Sequence, residues 1–88
     1  MAKYQIEITE EVSKWMDKKL NNEQLRRLAN KIKKLEEYPD VYGKPLRGPL
    51  AGIWEIYFER KFRILYEIDY NLKIVRIVAI KHKNEMSK

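Results

Sequence analysis

Trp54, Ile56 and Phe58 alternate with Glu55 and Tyr57, and after Glu59-Arg60-Lys61 the alternation resumes as Phe62, Ile64, Tyr66 and Ile68. A period of two over both runs predicts antiparallel strands with one buried face, and a three-residue loop keeps those faces in register. Phe58 then faces Phe62, and Tyr57 lies opposite Arg63 on the face away from the core. An arginine fixed inside a strand among aromatics is the residue that any function must account for.

The remaining segments supply what such a hairpin needs in order to bury its apolar face. Tyr4, Ile6 and Ile8 alternate with Lys3, Gln5 and Glu7 and predict a first strand. Thr9 is placed to cap a short helix carrying Val12, Trp15, Met16 and Leu20 at helical spacing, with Glu10 and Glu11 in its first turn. Asn21-Asn22 breaks that pattern and caps a second helix whose stripe is Leu25, Leu28, Ile32 and Leu35, stopped by Pro39. Residues 40–52 hold three glycines and two prolines, a connector with little regular structure. After a tight turn at Tyr70-Asn71, a last strand over about Leu72 to Lys81 sends Val75, Ile77 and Ala79 to the core and Arg76, Val78 and Ile80 to the face that holds Arg63. The expected fold is α+β, in the order β-α-α-β-β-β, with a helical hairpin covering one face of an antiparallel sheet and the other face left open. Trp54, Phe62 and Tyr66 fall on the covered face and read as scaffold.

Eighty-eight residues at 44% apolar content accommodate one small domain, residues 1–88, and no second. The absence of cysteine rules out disulfides and thiolate metal sites, so packing alone must stabilise the fold, and it suits a reducing, cytoplasmic setting. No stretch approaches the roughly 20 apolar residues of a membrane span, so no membrane partner is expected. Nineteen basic against thirteen acidic residues leave a net +6, a field that attracts polyanions such as nucleic acid or an acidic protein. Part of it lies on the second helix as Arg26, Arg27, Lys31, Lys33 and Lys34, which reads either as a solvated face or as a basic wall.

Most catalytic signatures are missing: there is no glycine-rich phosphate loop, no histidine pair and no carboxylate cluster with metal-ligand spacing. No cofactor or metal is expected. Metal-free RNA cleavage needs a base for the 2′-hydroxyl, a cation for the charge building on phosphate, and an acid for the leaving 5′-oxygen. Arg63 suits the second role, because its planar fork binds two phosphate oxygens and stays charged. Its competing role is an ion pair with Glu55 or Glu67 on the same face. His82, the lone histidine, has an ordinary pKa suited to proton transfer or is a surface residue. On an ideal strand it lies four residues beyond the partner of Arg63, roughly 13 Å away at ~3.4 Å per residue.

The Leu46-Arg47-Gly48 entry, the Gly52-Ile53-Trp54 strand start, the centre Phe62-Arg63-Ile64-Leu65-Tyr66 and the basic last strand together resemble the RelE/ParE toxin superfamily, most of all its archaeal-type RelE branch. The likeness extends in outline over nearly the whole chain. It implies a toxin of a type II toxin–antitoxin system that cuts mRNA on the ribosome without metal and so inhibits translation. The implied partners are a RelB-like antitoxin, the ribosome with its mRNA, and operator DNA only through the antitoxin.

By the same resemblance Arg63 contacts the scissile phosphate. Lys83 stands where an arginine is more usual, and His82 matches a histidine that sister branches use as acid or base. Arg47, Arg76 and Lys81 fall to RNA-backbone binding, and Arg47 has an equal claim as a loop anchor. Four further positions depart from the pattern. Glu55 and Tyr57 replace two lysines of the second meander strand, no C-terminal tyrosine is present, and Lys44 stands where sister branches carry an acid. Tyr57 is therefore a candidate to stack on a base or donate a proton from a new position, or an aromatic that the antitoxin covers. The departures also leave open a ParE-like toxin that blocks a topoisomerase, a non-catalytic co-repressor that binds antitoxin, or a general RNA-binding domain.

Overall fold

The computed structural model describes residues 3–83. Strand β1, Gln5–Ile8, leads into helix α1, Glu10–Lys19, whose N-terminus is closed by Thr9 Oγ1 accepting from the Val12 amide at 3.3 Å. Helix α2, Asn22–Lys33, starts with a reciprocal cap: Asn21 Oδ1 accepts from the Gln24 amide at 2.8 Å, and Gln24 Oε1 accepts from the Asn21 amide at 3.0 Å. A 3-10 turn, Lys34–Glu36, ends this stretch before Pro39 is reached.

The connector has more structure than its glycines and prolines suggest. Pro39–Tyr42 form a one-turn helix, α3, which the fixed φ of proline favours at its first position. Lys44–Pro45 form a two-residue strand, β2, and Gly48–Leu50 a 3-10 turn. The meander follows as β3, Trp54–Phe58, β4, Phe62–Asp69, and β5, Ile74–His82.

The sheet runs in the order β1-β5-β4-β3-β2 and is mixed, since β1 lies parallel to β5 while all other pairs are antiparallel. The helices carry the chain across one face to the far edge. The meander then returns strand by strand, so its last member arrives beside β1 and in the same direction. The expected pairing of the hairpin is present, with Phe58 opposite Phe62 and Tyr57 opposite Arg63.

One expectation for β5 is corrected. Leu65 pairs with Ala79 but Tyr66 pairs with Ile77, so Val78 is an extra residue without a partner on β4. Such a bulge reverses the alternation beyond it. Ile80 therefore joins Val75 and Ile77 in the core, and Ala79 turns to the face that holds Arg63. The same core takes in Val12, Leu20, Leu28, Ile32 and Leu35 from the helical side, so the helices cover the face expected of them.

Tyr66 fixes the connector to the sheet. Its fully buried hydroxyl donates to the Pro39 carbonyl at 2.6 Å, and Gly43 lies so close that an added Cβ would come within 1.9 Å of that oxygen. Burial pushes the phenol pKa well above its ordinary value, with the Asp40 charge adding to the effect. A group whose folded pKa is raised stabilises fully below its unfolded pKa, near 10 for tyrosine, and loses that contribution as pH rises further. Tyr66→Phe is expected to lower stability by about 1–2 kcal/mol at neutral pH, since the Pro39 carbonyl loses its donor. It also flattens the fall in stability above pH ~10 by one proton. Chemical denaturation at pH 7 and at alkaline pH measures both effects.

Among the described residues no helix is long and apolar enough to cross a membrane, and no group of three His, Cys, Asp or Glu side chains could hold a metal.

Candidate nucleic-acid interface

On the face opposite the helices, Tyr57, Arg63 and Lys81 form one row across β3, β4 and β5. The bulge creates the third member, because it moves Lys81 directly opposite Arg63. The Arg63 guanidinium lies 5.3 Å from the centre of the Tyr57 ring, within cation–π range. Beyond the strand ends, Tyr57, Arg60 and Lys83 line a hollow of about 290 Å³. Lys83 is held there by its backbone amide, which donates to the Lys61 carbonyl at 2.6 Å.

Glu55 is the residue that complicates this face. Strand alternation puts it outside the main core, yet its side chain is only 2% exposed and Arg63 Nη1 donates to its Oε2 at 3.1 Å. Lys44 Nζ stands 3.9 Å from its other oxygen. The open face is thus not bare: Glu55 and Leu65 are both buried on it. The ion pair considered for Arg63 is present, with Glu55 and not Glu67. Arg63 keeps a side-chain exposure of 24%, and its Nε–H is a buried donor without a partner. The guanidinium is therefore anchored by one corner, with donor capacity left over.

The other proposed residues divide by position. Arg76 shares this sheet face, but it lies opposite Glu67, four residues along β4 from Arg63 or about 13 Å at ~3.3 Å per residue. There it donates to Glu7 at 3.1 Å and Glu67 at 3.4 Å, and the Glu7 hydrogen bond pushes its pKa further up. Arg47 is exposed at the start of the Gly48–Leu50 turn. His82 lies opposite Phe62, on the helix side of the sheet, with the two rings edge-on at 5.6 Å. The expected distance is corrected: a four-residue turn, 70–73, and the bulge together make Lys81 the partner of Arg63, so His82 lies one residue beyond that partner and not four, on the other side of the sheet. The structure brings Arg63, Tyr57 and Lys81 together with Arg60 and Lys83 nearby, and leaves Arg76 and His82 elsewhere.

The basic wall of α2 is likewise divided. Arg27 is engaged with Glu23 and with Glu59, which Gln24 also reaches at 3.3 Å, so this corner ties α2 to the β3–β4 turn. The Arg27 hydrogen bond lowers the Glu59 pKa. Lys31 and Lys34 turn toward α3, where Lys34 Nζ lies 5.8 Å from the Tyr42 ring centre. A second hollow of about 290 Å³ opens there, lined by Lys31, Tyr42, Lys44, Glu55 and Tyr57. Sequence reading missed this group. The exposed aromatic and lysine around Gly43 were the available signal, hidden because a two-residue strand has no period to read.

Comparison with known proteins decides the family. The pattern of the ParE toxin of type II toxin-antitoxin system, parDE, matches residues 6–86. The chain belongs to the ParE/RelE toxin family. A protein of Methanocaldococcus jannaschii named RelE4 is 28% identical over 87 residues, covering 97% of this chain and 92% of its own. The toxin-antitoxin complex RelBE2 of Mycobacterium tuberculosis contains a chain with TM-score 0.74 and 29% identity, covering 93% of this chain and all of that one. A mutant of the E. coli toxin RelE in the free state superposes with TM-score 0.75 at 25% identity over 99% of this chain and 88% of that one. The archaeal RelE-RelB complex of Pyrococcus horikoshii gives TM-score 0.73 at 20% identity over 91% and 94% of the two chains, a likeness of fold. As a ParE/RelE toxin, the chain is the toxin half of a type II toxin–antitoxin pair, with a mixed sheet and helices that match the RelE fold.

Proposed function

We propose that this toxin cuts mRNA on the ribosome without a metal, using the Tyr57–Arg63–Lys81 row as its phosphate site. The observation that carries the reading is that row itself: an arginine near the start of β4, anchored by Glu55 and flanked by an exposed aromatic and a lysine, on the helix-free face of a RelE fold. In the reaction the ribose 2′-oxygen bonds to phosphorus as its proton leaves to a base, and the bond to the 5′-oxygen breaks. The products are a 2′,3′-cyclic phosphate and a 5′-hydroxyl. Arg63 stabilises the added charge on the non-bridging oxygens through the donors that Glu55 leaves unspent, and Lys81, Arg60 and Lys83 hold the flanking backbone. Tyr57 packs on a base or gives a proton to the leaving 5′-oxygen. His82 takes no part in this arrangement.

A RelB-like antitoxin with an acidic or amphipathic binding segment would cover the basic face and silence it, and operator DNA would be reached only through that partner. Action on ribosomes sets the work in the cytoplasm. The test is primer extension on mRNA after the pure protein meets translating ribosomes. Codon-positioned cuts are expected there and not on naked mRNA.

One observation favours a second reading. Arg63 is already paired to a buried carboxylate, in a strand that carries Glu55 and Tyr57 in place of two lysines. A binding toxin of the ParE kind, blocking a topoisomerase, or an antitoxin-binding co-repressor would leave mRNA intact. In the first case supercoiling by purified gyrase would be inhibited.

A further inference from the structure

The hollow beside α3 shares Tyr57 with the phosphate row, and its other lining residues, Tyr42, Lys31 and Lys44, have no part in that row. Tyr42 is 48% exposed and outside the core, but the segment that carries it is held firmly. Pro39 on one side is bonded by the Tyr66 hydroxyl at 2.6 Å, and Gly43 on the other packs against that hydroxyl. An aromatic ring presented to solvent on an anchored turn gives the fold little burial in return. Across the hollow stands Tyr57, 40% exposed, with Lys44 Nζ 6.0 Å from its ring centre. Lys31 and Lys34 approach from α2. The lining carboxylate, Glu55, is shared between Arg63 at 3.1 Å and Lys44 at 3.9 Å, and Lys31 and Lys34 leave the hollow net positive.

Exposed aromatic rings interleaved with lysines are the arrangement that grips single-stranded nucleic acid: every base has a π-face, and each phosphate meets a cation. An acidic peptide would use the lysines but not the rings. We infer that this hollow is a nucleotide subsite for single-stranded RNA, with a base stacked on Tyr42 and its phosphate held by Lys31 and Lys44. Tyr57 separates it from the Arg60–Lys83 hollow, so a strand crossing Arg63 would fill one hollow on each side. The inference rests on the reading that RNA enters this face, but it concerns binding and is tested without cleavage.

The experiment is fluorescence anisotropy with the full chain and a labelled 2′-O-methyl RNA octamer, which no 2′-hydroxyl mechanism can cut, over a range of salt. Wild type is expected to bind with steep salt dependence. Tyr42→Ala should weaken binding about tenfold or more, and Tyr42→Phe should stay within about twofold of wild type, because the π-face and not the hydroxyl is needed. Lys31→Ala with Lys44→Ala should reduce the log–log salt slope by roughly 0.7, the value for the one phosphate contact they share on a single strand. Since Tyr42 lies outside the core, melting temperatures of the Tyr42 variants should match wild type.

A wild-type protein that does not bind the octamer, or a Tyr42→Ala protein that binds it equally well, overturns the inference. So does a Tyr42→Phe loss as large as that of alanine. Polyglutamate displacing the octamer, with Tyr42→Ala weakening both ligands alike, would assign the hollow to an acidic protein segment instead. Ribosomal cuts with Tyr42-independent binding would remove this subsite alone. Tyr42-dependent binding without any cuts would remove the nuclease reading and leave the subsite standing.

Discussion

Arg63→Ala is expected to lose about 2–3 kcal/mol of folding stability, before any question of activity arises. The substitution strands the Glu55 carboxylate, 2% exposed, without the guanidinium that donates to it at 3.1 Å. Breaking one side of a buried pair typically costs ~3–5 kcal/mol, because the remaining charge stays desolvated. The partial exposure of Arg63 and the presence of Lys44 at 3.9 Å from the other oxygen bring the figure to the bottom of that range or just below it. Combining it with Glu55→Gln removes the stranded charge, so the double variant should recover most of the loss. Urea denaturation of the four proteins of this cycle gives the coupling energy. Equal losses in the single Arg63 variant and the double variant would mean that the pair is not buried in solution. An inactive Arg63→Ala protein is therefore ambiguous by itself, whereas the double variant separates folding from chemistry.

Gly43→Ala should be comparably severe, about 3 kcal/mol, or a fall in Tm of roughly 12–24 °C at this chain size. Backbone torsion is not the reason, as Gly43 has φ −105° and ψ −178°, open to any residue. Space is the reason: an added methyl would sit 1.9 Å from Tyr66 Oη and 2.9 Å from the Glu55 carbonyl oxygen. Neither neighbour can retreat easily, because the tyrosine is fully buried and Glu55 belongs to β3, which pairs here with Lys44. Removing the hydroxyl by Tyr66→Phe takes away the closest contact, so the two changes together should cost less than their sum. Additive thermal shifts would show that the connector does not pack on Tyr66 as described.

How far such features were readable in the sequence depended on whether they carry a period. The hairpin was legible because Trp54 through Ile68 alternate over both strands and a three-residue loop leaves a single register. The helices were legible from Thr9 and Asn21, whose side chains bond the amides that start each one. The bulge at Val78 was not, since β-branched residues on both sides fit either face and only pairing with β4 decides which is inside. That single residue moved Lys81 into the Arg63 row, Ile80 into the core and His82 to the helix side.

Depth was hidden as well. Alternation assigns Glu55 to the outer face correctly, but it cannot show that neighbours close over that face and bury a carboxylate beneath Arg63. Tyr42, and its grouping with Lys44, escaped notice for a third reason. Their placement depends on the long-range contact of Tyr66 with Pro39, which no local pattern announces.

The central claim is that Arg63, on the helix-free face, stabilises phosphate during cleavage. The most direct measurement is the single-turnover rate of mRNA cutting on programmed ribosomes, comparing wild type, Glu55→Gln and the refolded double variant Glu55→Gln with Arg63→Ala. Loss of one preorganised charge-stabilising donor should slow cutting by about 10²–10³-fold in the double variant relative to Glu55→Gln. Equal rates for those two proteins, or no cutting by any of the three, would contradict it.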